Sequence, residues 1–206
     1  MFFRRKERSD PREGAWRELA ERLELLRLDD AAEDALRAEL AVDTGVVAEL
    51  HALRRDGLPE LLLFEHLRPN PARRGGDERR ARVLLRSDDE ICAVGWRAFP
   101  RSHPLMSSLQ ASRSGGTLAP TGDEAFDDAV GVVARDPGPA ADCFKPPVRE
   151  ALLRLLADET VPDATVTCGG GQLAWRVHRQ LEPPFTVLET VASRLLTVWA
   201  ALRSSR

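Results

Sequence analysis

Four carboxylates within six residues form the part of this sequence whose residue types and spacing most suggest chemistry. Asp123, Glu124, Asp127 and Asp128 surround a single phenylalanine, Phe126. On a helix, residues four positions apart share a face, so Asp123 with Asp127, or Glu124 with Asp128, would form a carboxylate pair. Such pairs hold Mg²⁺ in metal-assisted hydrolases and phosphoryl-transfer enzymes. The stretch therefore supplies candidate metal ligands.

The residues on either side of this stretch favour a structural role instead. A proline and a glycine precede it and a strand-like apolar run starts soon after Asp128, so at most one helical turn fits. The stretch resembles the Asp-Asp-x-x-Asp motif of prenyl-transferring enzymes, but those are all-helical and need a second acidic motif on a facing helix. We expect Thr121 or Asp123 to cap the turn and Phe126 to enter the core, while the remaining acids face water.

The three cysteines are isolated along the chain. Cys92, Cys143 and Cys168 are spaced 51 and 25 positions apart and form no Cys-x-x-Cys pair, which argues against a zinc ribbon and a thioredoxin-like motif. We expect each to be a small buried apolar residue in a reducing cytoplasm. A pairing of Cys143 with His178 in space stays open as an alternative.

No other catalytic or cofactor motif is present in the sequence. It contains no Gly-x-Ser-x-Gly elbow, and its four histidines lack a metal-ligand spacing such as His-Glu-x-x-His. No Lys-Ser or Lys-Thr pair follows Gly169–Gly171, so this run predicts a hairpin turn rather than a phosphate loop. We therefore expect no catalytic residue and no cofactor.

Seven arginines are concentrated between residues 67 and 86. Among them, Arg73, Arg74, Arg79 and Arg80 are candidates for binding an anion or an acidic partner. The same stretch contains two prolines, a Gly-Gly pair and two acids, a composition typical of a long solvated hairpin loop. It has no interleaved aromatic residues and the net charge of the chain is −3, so we expect no nucleic-acid partner.

The composition is typical of a globular protein, with 43% hydrophobic and 31% charged residues. No apolar run approaches the roughly 20 residues that span a bilayer, and we expect a cytoplasmic location. Residues 1–10 are predicted to be a disordered basic terminus ahead of a single domain at 11–206. The two phenylalanines and four basic residues of this terminus leave peripheral membrane attachment as an alternative.

The periodicity of apolar residues changes from helical to strand-like along the domain. Residues 11–55 are predicted to be a helical N-terminal part, although Val46–Val47 could either continue a helix or begin a strand. A tight hairpin turn is predicted at 87–90, between the second and third strand patterns. The strand patterns lie at 60–68, 80–87, 90–99, 107–114, 116–122 and 129–138.

The last third of the domain is predicted to add helices and a hairpin. One helix opens at Pro146, a hairpin covers residues 164–179 and carries Trp175, and a final helix from about Pro184 to Leu202 carries Trp199. Both tryptophans are expected in the core. The predicted fold of residues 58–206 is α+β, with an antiparallel meander of about six or seven strands and two helices on one face.

The order of features from about residue 120 to residue 202 resembles an uncharacterised bacterial domain family. Its members carry an acidic-x-x-Phe-Asp/Asn motif before a strand that ends in Asp, then a helix that begins near Pro, a hairpin and a C-terminal helix. The resemblance implies a fold rather than an activity. The matching residues here are Asp123, Phe126, Asp127, Val132, Val133, Asp136, Pro147, Leu152 and Leu155.

These observations favour a non-enzymatic cytoplasmic binding or adaptor module whose partner is another protein. Such a module would expose an apolar patch or a sheet edge to its partner. The first alternative is a metal-assisted enzyme that uses the carboxylates of residues 123–128. The second is a peripheral membrane protein attached through the first residues of the chain.

Overall fold

A computed structural model of the protein describes residues 11–44, 47–68, 78–101, 115–156, 164–177 and 180–205. The helices of these ranges are α1 (Pro11–Leu23), α2 (Asp30–Thr44), α3 (Glu124–Ala129), α4 (Pro137–Asp142), α5 (Pro146–Leu156) and α6 (Thr186–Ser204). The strands are β1 (Leu26–Arg27), β2 (Glu49–Arg55), β3 (Glu60–Arg68), β4 (Glu78–Arg86), β5 (Cys92–Pro100), β6 (Thr117–Leu118), β7 (Val130–Ala134), β8 (Thr165–Gly170) and β9 (Gln172–Val177).

All nine strands of the described residues belong to one sheet. Their order is β1-β2-β3-β4-β9-β8-β5-β7-β6, and each neighbouring pair is antiparallel. The α+β class predicted from the sequence is confirmed. The predicted six or seven strands were too few. Strand β1 has only two residues and leaves almost no periodic signal, and β2 lies within residues 11–55, which were predicted to be helical.

The predicted hairpin at residues 87–90 is wrong, and so is the predicted meander, because β4 and β5 are not neighbours in the sheet. The β8–β9 hairpin lies between them. The chain crosses the tip of that hairpin, where the Ser87 amide donates to the Gly171 carbonyl at 2.9 Å and the Ile91 amide donates to the Gly170 carbonyl at 2.8 Å. A Cβ at residue 171 would overlap the Ser87 carbonyl oxygen, so this crossing requires glycine.

Three long helices cover one side of the sheet, called the first face. The buried residues of α1, α5 and α6 form one hydrophobic cluster with inward positions of every strand from β2 to β9 except β6. Leu152, Leu188 and Leu195 are fully buried in it. Only two helices were predicted on this face. The third, α1, was predicted as a helix but not as part of this layer. None of the helices in the described ranges is both long enough and apolar enough to cross a membrane.

The remaining long helix, α2, lies on the opposite side, called the second face. Asp29 caps it by accepting a hydrogen bond from the Ala32 amide at 2.8 Å. Its Leu36 and Leu40 pack against Leu62 and Phe64 of β3, whose side chains alternate away from the first face. A helix on this face was not predicted, because the pattern of α2 alone does not say which side of the sheet it covers.

A buried ion pair fastens α1 to the sheet. Arg12 lies 2.5 Å from a carboxylate oxygen of Glu65, whose side chain is 1% exposed, and Arg12 also donates to the Leu181 carbonyl at 2.9 Å. Burial raises the pKa of Glu65, while the charge and hydrogen bond of Arg12 act against that increase. Because both partners are held by the fold, this pair is part of the architecture.

Several predicted boundaries are corrected by the structure. After the undecided Val46–Val47, the chain forms a strand, β2, from Glu49. The strand predicted over 129–138 ends at Ala134, since Pro137 begins the short helix α4. The pattern at 116–122 yields only β6. The predictions for residues 1–10 and 107–114 lie outside the described residues.

Candidate functional site

The acidic stretch is a turn held by its own carboxylates. Asp123 caps α3 by accepting a hydrogen bond from the Phe126 amide at 3.1 Å, and its other oxygen lies 3.1 Å from Nη2 of Arg149. Asp127 accepts hydrogen bonds from the amide of Thr121 at 3.0 Å and from its hydroxyl at 2.9 Å. Two of the four acids therefore bind donors of the chain itself.

The other two acids point away from this pair. Glu124 and Asp128 are exposed, whereas the ring of Phe126 is 1% exposed and lies 6.0 Å from that of Phe144. Asp127, expected to face water, instead closes the turn on Thr121. Within the described ranges no group of three or more His, Cys, Asp or Glu side chains is arranged to hold a metal ion.

Of the four arginines proposed from the sequence to bind an anion or an acidic partner, two lie in β4 and two lie outside the described residues. Arg79 lies 2.6 Å from Glu49 and 3.6 Å from the buried Glu65, and Arg80 lies 2.9 Å from Glu78. These two side chains therefore contact acids of β2, β3 and β4. Arg73 and Arg74 lie outside the described residues.

Both tryptophans expected in the core are buried, and the described histidines have aromatic neighbours. Trp175 is 1% exposed and Trp199 is 3% exposed, both in the cluster of the first face. His51 stacks on Trp16 with ring centroids 6.0 Å apart, and His66 is buried beside Phe64. His103 and His178 lie outside the described residues, and so does the possible pairing of Cys143 with His178.

Beyond α2, the second face of the sheet carries a shallow depression that we call the open groove. It consists of two adjoining clefts, of about 270 and 190 Å³, which share Thr167 and Cys168. Among the described helices only α2 packs on this face. The groove is lined in part by small residues, whose short side chains protrude little from the sheet: Ala174, Gly169 and Gly95.

Four arginines line the open groove, each from a different segment. Arg82 belongs to β4, Arg176 to β9 and Arg97 to β5, while Arg135 follows β7. Arg82 and Arg176 are directly opposite each other in the β4–β9 register, and the Arg82 guanidinium lies 5.9 Å from the centre of the Phe64 ring. The described residues that line the two clefts therefore include four arginines and one acid, Glu39.

The three cysteines, expected to be isolated, come together on the first face. The Sγ atoms of Cys92 and Cys143 are 2.9 Å apart, and the indole Nε1 of Trp96 donates to Cys92 Sγ at 3.3 Å. The thiol of Cys168 also hydrogen-bonds to Cys92. We call these three residues the cysteine cluster. It forms because β5 pairs with β8 and because α4 ends against the start of β5.

The pKa values of the two close thiols are shifted in opposite directions. Hydrogen bonding from Cys168 is the largest influence that lowers the pKa of Cys92, to about 5, and burial opposes it. Burial, followed by the hydrogen bond and charge of Cys92, raises the pKa of Cys143 to about 12. Of the two thiols, Cys92 is therefore the one whose surroundings favour the thiolate, and Cys143 is the one whose surroundings favour the protonated form.

Sequence reasoning missed both the open groove and the cysteine cluster. The spacing does indicate which face each side chain takes: Cys168 and Val166, two positions apart, share a face, whereas the adjacent Trp175 and Arg176 take opposite faces. It does not indicate which strands are neighbours, and both sites depend on strands that are far apart in the sequence.

Comparisons with known proteins add no family to this description. No protein-family model, no curated protein and no solved structure matches the chain. The resemblance of residues 120–202 to a bacterial domain family therefore stays a prediction.

Proposed function

We propose that this protein is a non-catalytic binding module whose open groove takes an acidic segment of a partner protein. The observation that carries the proposal is the convergence of Arg82, Arg97, Arg135 and Arg176 on two adjoining clefts beside α2, on the second face of the sheet. A sheet face that is flat, basic and lined by small residues matches an extended acidic chain in shape and in charge.

The dimensions of the groove suit a short extended segment. It crosses five strands from β4 to β7, and with neighbouring strands roughly 4.8 Å apart its length is about 19 Å. At about 3.3 Å per residue, this distance corresponds to about six residues of extended chain. Acidic side chains on alternate residues of that segment would meet successive arginines.

The charge arrangement also favours an anionic occupant. The acid that lines the groove, Glu39, is held by Arg86 at 2.6 Å from its carboxylate. A partner carboxylate between Arg82 and Arg176 would accept charged hydrogen bonds from both guanidinium groups. Binding should therefore weaken as salt concentration rises.

The two alternatives to a binding module have less support. A metal-assisted reaction needs carboxylates that converge, but Asp123 and Asp127 bind Arg149 and Thr121. Peripheral membrane attachment would use residues 1–10, which lie outside the described residues. No observation on the described chain favours either alternative.

The proposal can be tested with a fluorescein-labelled peptide of about six residues that alternates Glu and Ser. We expect fluorescence anisotropy to show saturable, salt-sensitive binding to the full chain. The double variant Arg97→Gln/Arg176→Gln should weaken binding by about tenfold or more, since each charged hydrogen bond contributes about 1.5–3 kcal/mol.

The matched control is Arg154→Gln, which removes an exposed charge of α5, a helix on the other face of the sheet. It should bind the peptide as the unmodified protein does. Equal losses in the control and the double variant would indicate nonspecific charge attraction and would contradict the groove. Absence of saturable binding at low salt would contradict the proposal as well.

A further inference from the structure

We propose that Cys92 and Cys143 form a peroxide-reactive thiol pair, in which a hydroperoxide oxidises Cys92 and Cys143 then closes a disulfide with it. The pair lies on the first face of the sheet, opposite the open groove. The proposal therefore does not depend on the function proposed for the groove.

The distance between the two sulfurs is the first support. At 2.9 Å, Sγ of Cys92 and Sγ of Cys143 need to approach by only about 0.9 Å to reach the length of a disulfide bond. Cys92 is at the start of β5 and Cys143 is the last residue of the α4 turn, so a small shift of the helix end brings them together. No strand has to separate for the bond to form.

The surroundings of Cys92 are the second support. Its sulfur accepts hydrogen bonds from the Trp96 indole, from the thiols of Cys168 and Cys143 and from the Val94 backbone. Four donors around one sulfur stabilise a thiolate, which is the form of cysteine that attacks peroxides. A buried structural cysteine needs no such set of donors.

The chemistry balances as a two-electron oxidation. The Cys92 thiolate attacks one peroxide oxygen and the O–O bond breaks, which leaves a sulfenic acid on Cys92. The leaving hydroxide combines with the proton that the Cys92 thiol released to the solvent when it ionised, and gives water. The Cys143 thiol then loses its proton and attacks the Cys92 sulfur, and the S–O bond breaks to release hydroxide, which combines with that proton. Overall, two thiols and one hydrogen peroxide give one disulfide and two waters.

The second step is assisted by the first. Part of the increase in the pKa of Cys143 comes from the charge and hydrogen bond of Cys92, and both are lost once Cys92 is an uncharged sulfenic acid. Of the other neighbouring charges, Asp142 raises the pKa of Cys143 and Lys145 lowers it. Cys143 is also only partly buried, whereas Cys92 is 4% exposed, so a molecule as small as hydrogen peroxide approaches from the side of Cys143.

The third thiol, Cys168, acts as a positioning residue. It donates the hydrogen bond that contributes most to the low pKa of Cys92. Like Cys92 it is buried, so it lacks the partial exposure of Cys143. We therefore assign the disulfide to Cys92 and Cys143 and leave Cys168 reduced.

A peptide map tests this assignment. The reduced full chain is treated with one equivalent of hydrogen peroxide, free thiols are blocked with N-ethylmaleimide, and the protein is digested without reductant. We expect a cross-linked peptide pair that contains Cys92 and Cys143, with Cys168 alkylated. A link between Cys92 and Cys168, a link between two chains, or three alkylated cysteines would each overturn the proposal.

The order of events is tested with dimedone, which traps sulfenic acids. In Cys143→Ser, peroxide should leave a dimedone adduct on Cys92, whereas the unmodified chain should show little adduct because its disulfide closes first. The matched variant Cys168→Ser should still form the disulfide, at a lower rate. An adduct on Cys168, or no adduct in folded Cys143→Ser, would contradict the assigned roles; circular dichroism shows that the variants are folded.

The pH profile separates a reactive thiolate from a cysteine that is merely exposed. Because hydrogen bonding lowers the pKa of Cys92 to about 5, its rate of oxidation by hydrogen peroxide should stay nearly constant from about pH 9 to about pH 6 and be half-maximal near pH 5. An ordinary cysteine would lose its rate below a pKa of about 8.5. A half-maximal rate near that ordinary value would overturn the proposal.

Discussion

The acidic turn at residues 121–128 and the cysteine cluster are joined by a row of three aromatic rings, yet they differ in almost every physical respect. Phe126 of the turn lies 6.0 Å from Phe144, and Phe144 lies 4.9 Å from Trp96, which donates to Cys92. The turn is at the surface, and two of its four acids, Asp123 and Asp127, bind donors of the chain itself. The cysteine cluster is largely buried, and the pKa values of Cys92 and Cys143 are shifted in opposite directions.

The difference shows how partner geometry decides whether a polar group is structural or reactive. Asp123 and Asp127 each accept hydrogen bonds that fix the backbone of the turn, so their charges are used within the fold. Cys92 also accepts several hydrogen bonds, but one of its donors is a second thiol at bonding range. The carboxylates of the turn therefore have a structural role, whereas the Cys92 thiol lies beside a second thiol with which it can form a bond.

The largest expected effect concerns the aromatic row. Phe126→Ala removes a ring that is 1% exposed, and it should lower the free energy of unfolding by about 3–5 kcal/mol. Urea denaturation, with the slope of the transition compared between variants, measures this loss. A loss below about 1 kcal/mol would show that the turn is not anchored by its phenylalanine.

Oxidation of the cysteine cluster comes next. A bond between Cys92 and Cys143 closes a loop of 51 positions, which should raise the free energy of unfolding by at most about 4 kcal/mol through the lost entropy of the unfolded chain. The measurement compares urea denaturation of the peroxide-treated and the reduced protein. The control is Cys143→Ser, whose stability should not rise with peroxide.

A smaller effect is expected from the cap of α3. Asp123→Ala removes the acceptor of the Phe126 amide and the partner of Arg149, and should cost about 1–2 kcal/mol. The matched variant Asp123→Asn keeps a capping oxygen and loses only the charge, so it should cost less. Thermal unfolding of both variants distinguishes the cap from the ion pair, and equal losses would assign the effect to the charge.

The smallest effect is expected at Asp128. This carboxylate is exposed, and Asp128→Asn should change the free energy of unfolding by less than about 0.5 kcal/mol. It should also leave the peroxide reaction of the cysteine cluster unchanged. A large loss of stability would mean that the acidic turn depends on all four of its charges.

The features that could be predicted from the sequence are those fixed by local pattern. Pro11 at the start of α1, the apolar stripe of α6 and the glycine turn between β8 and β9 each depend on residues close to one another in the chain. Trp175 lies two positions from both Leu173 and Val177, on the apolar side of its strand, so its burial was predictable as well. The α+β class follows from these elements together.

The features that could not be predicted depend on which strands are neighbours. Residues 87–90 have the composition of a tight turn, but turn propensity does not report that another hairpin is inserted between the two strands. The same insertion brings Cys168 beside Cys92, and Arg176 opposite Arg82. The candidate sites therefore depend on the order of strands in the sheet. This order cannot be inferred from any short stretch of the sequence.

The inserted hairpin also sets the timing of folding during synthesis. Strands β8 and β9, residues 165–177, emerge from the ribosome after every other strand, and they are the only connection between the β1–β4 half and the β5–β7 half of the described sheet. Until then β4 and β5 present unpaired edges, which are templates for association with other chains. A nascent chain that pauses before residue 165 should therefore be the form most dependent on a chaperone.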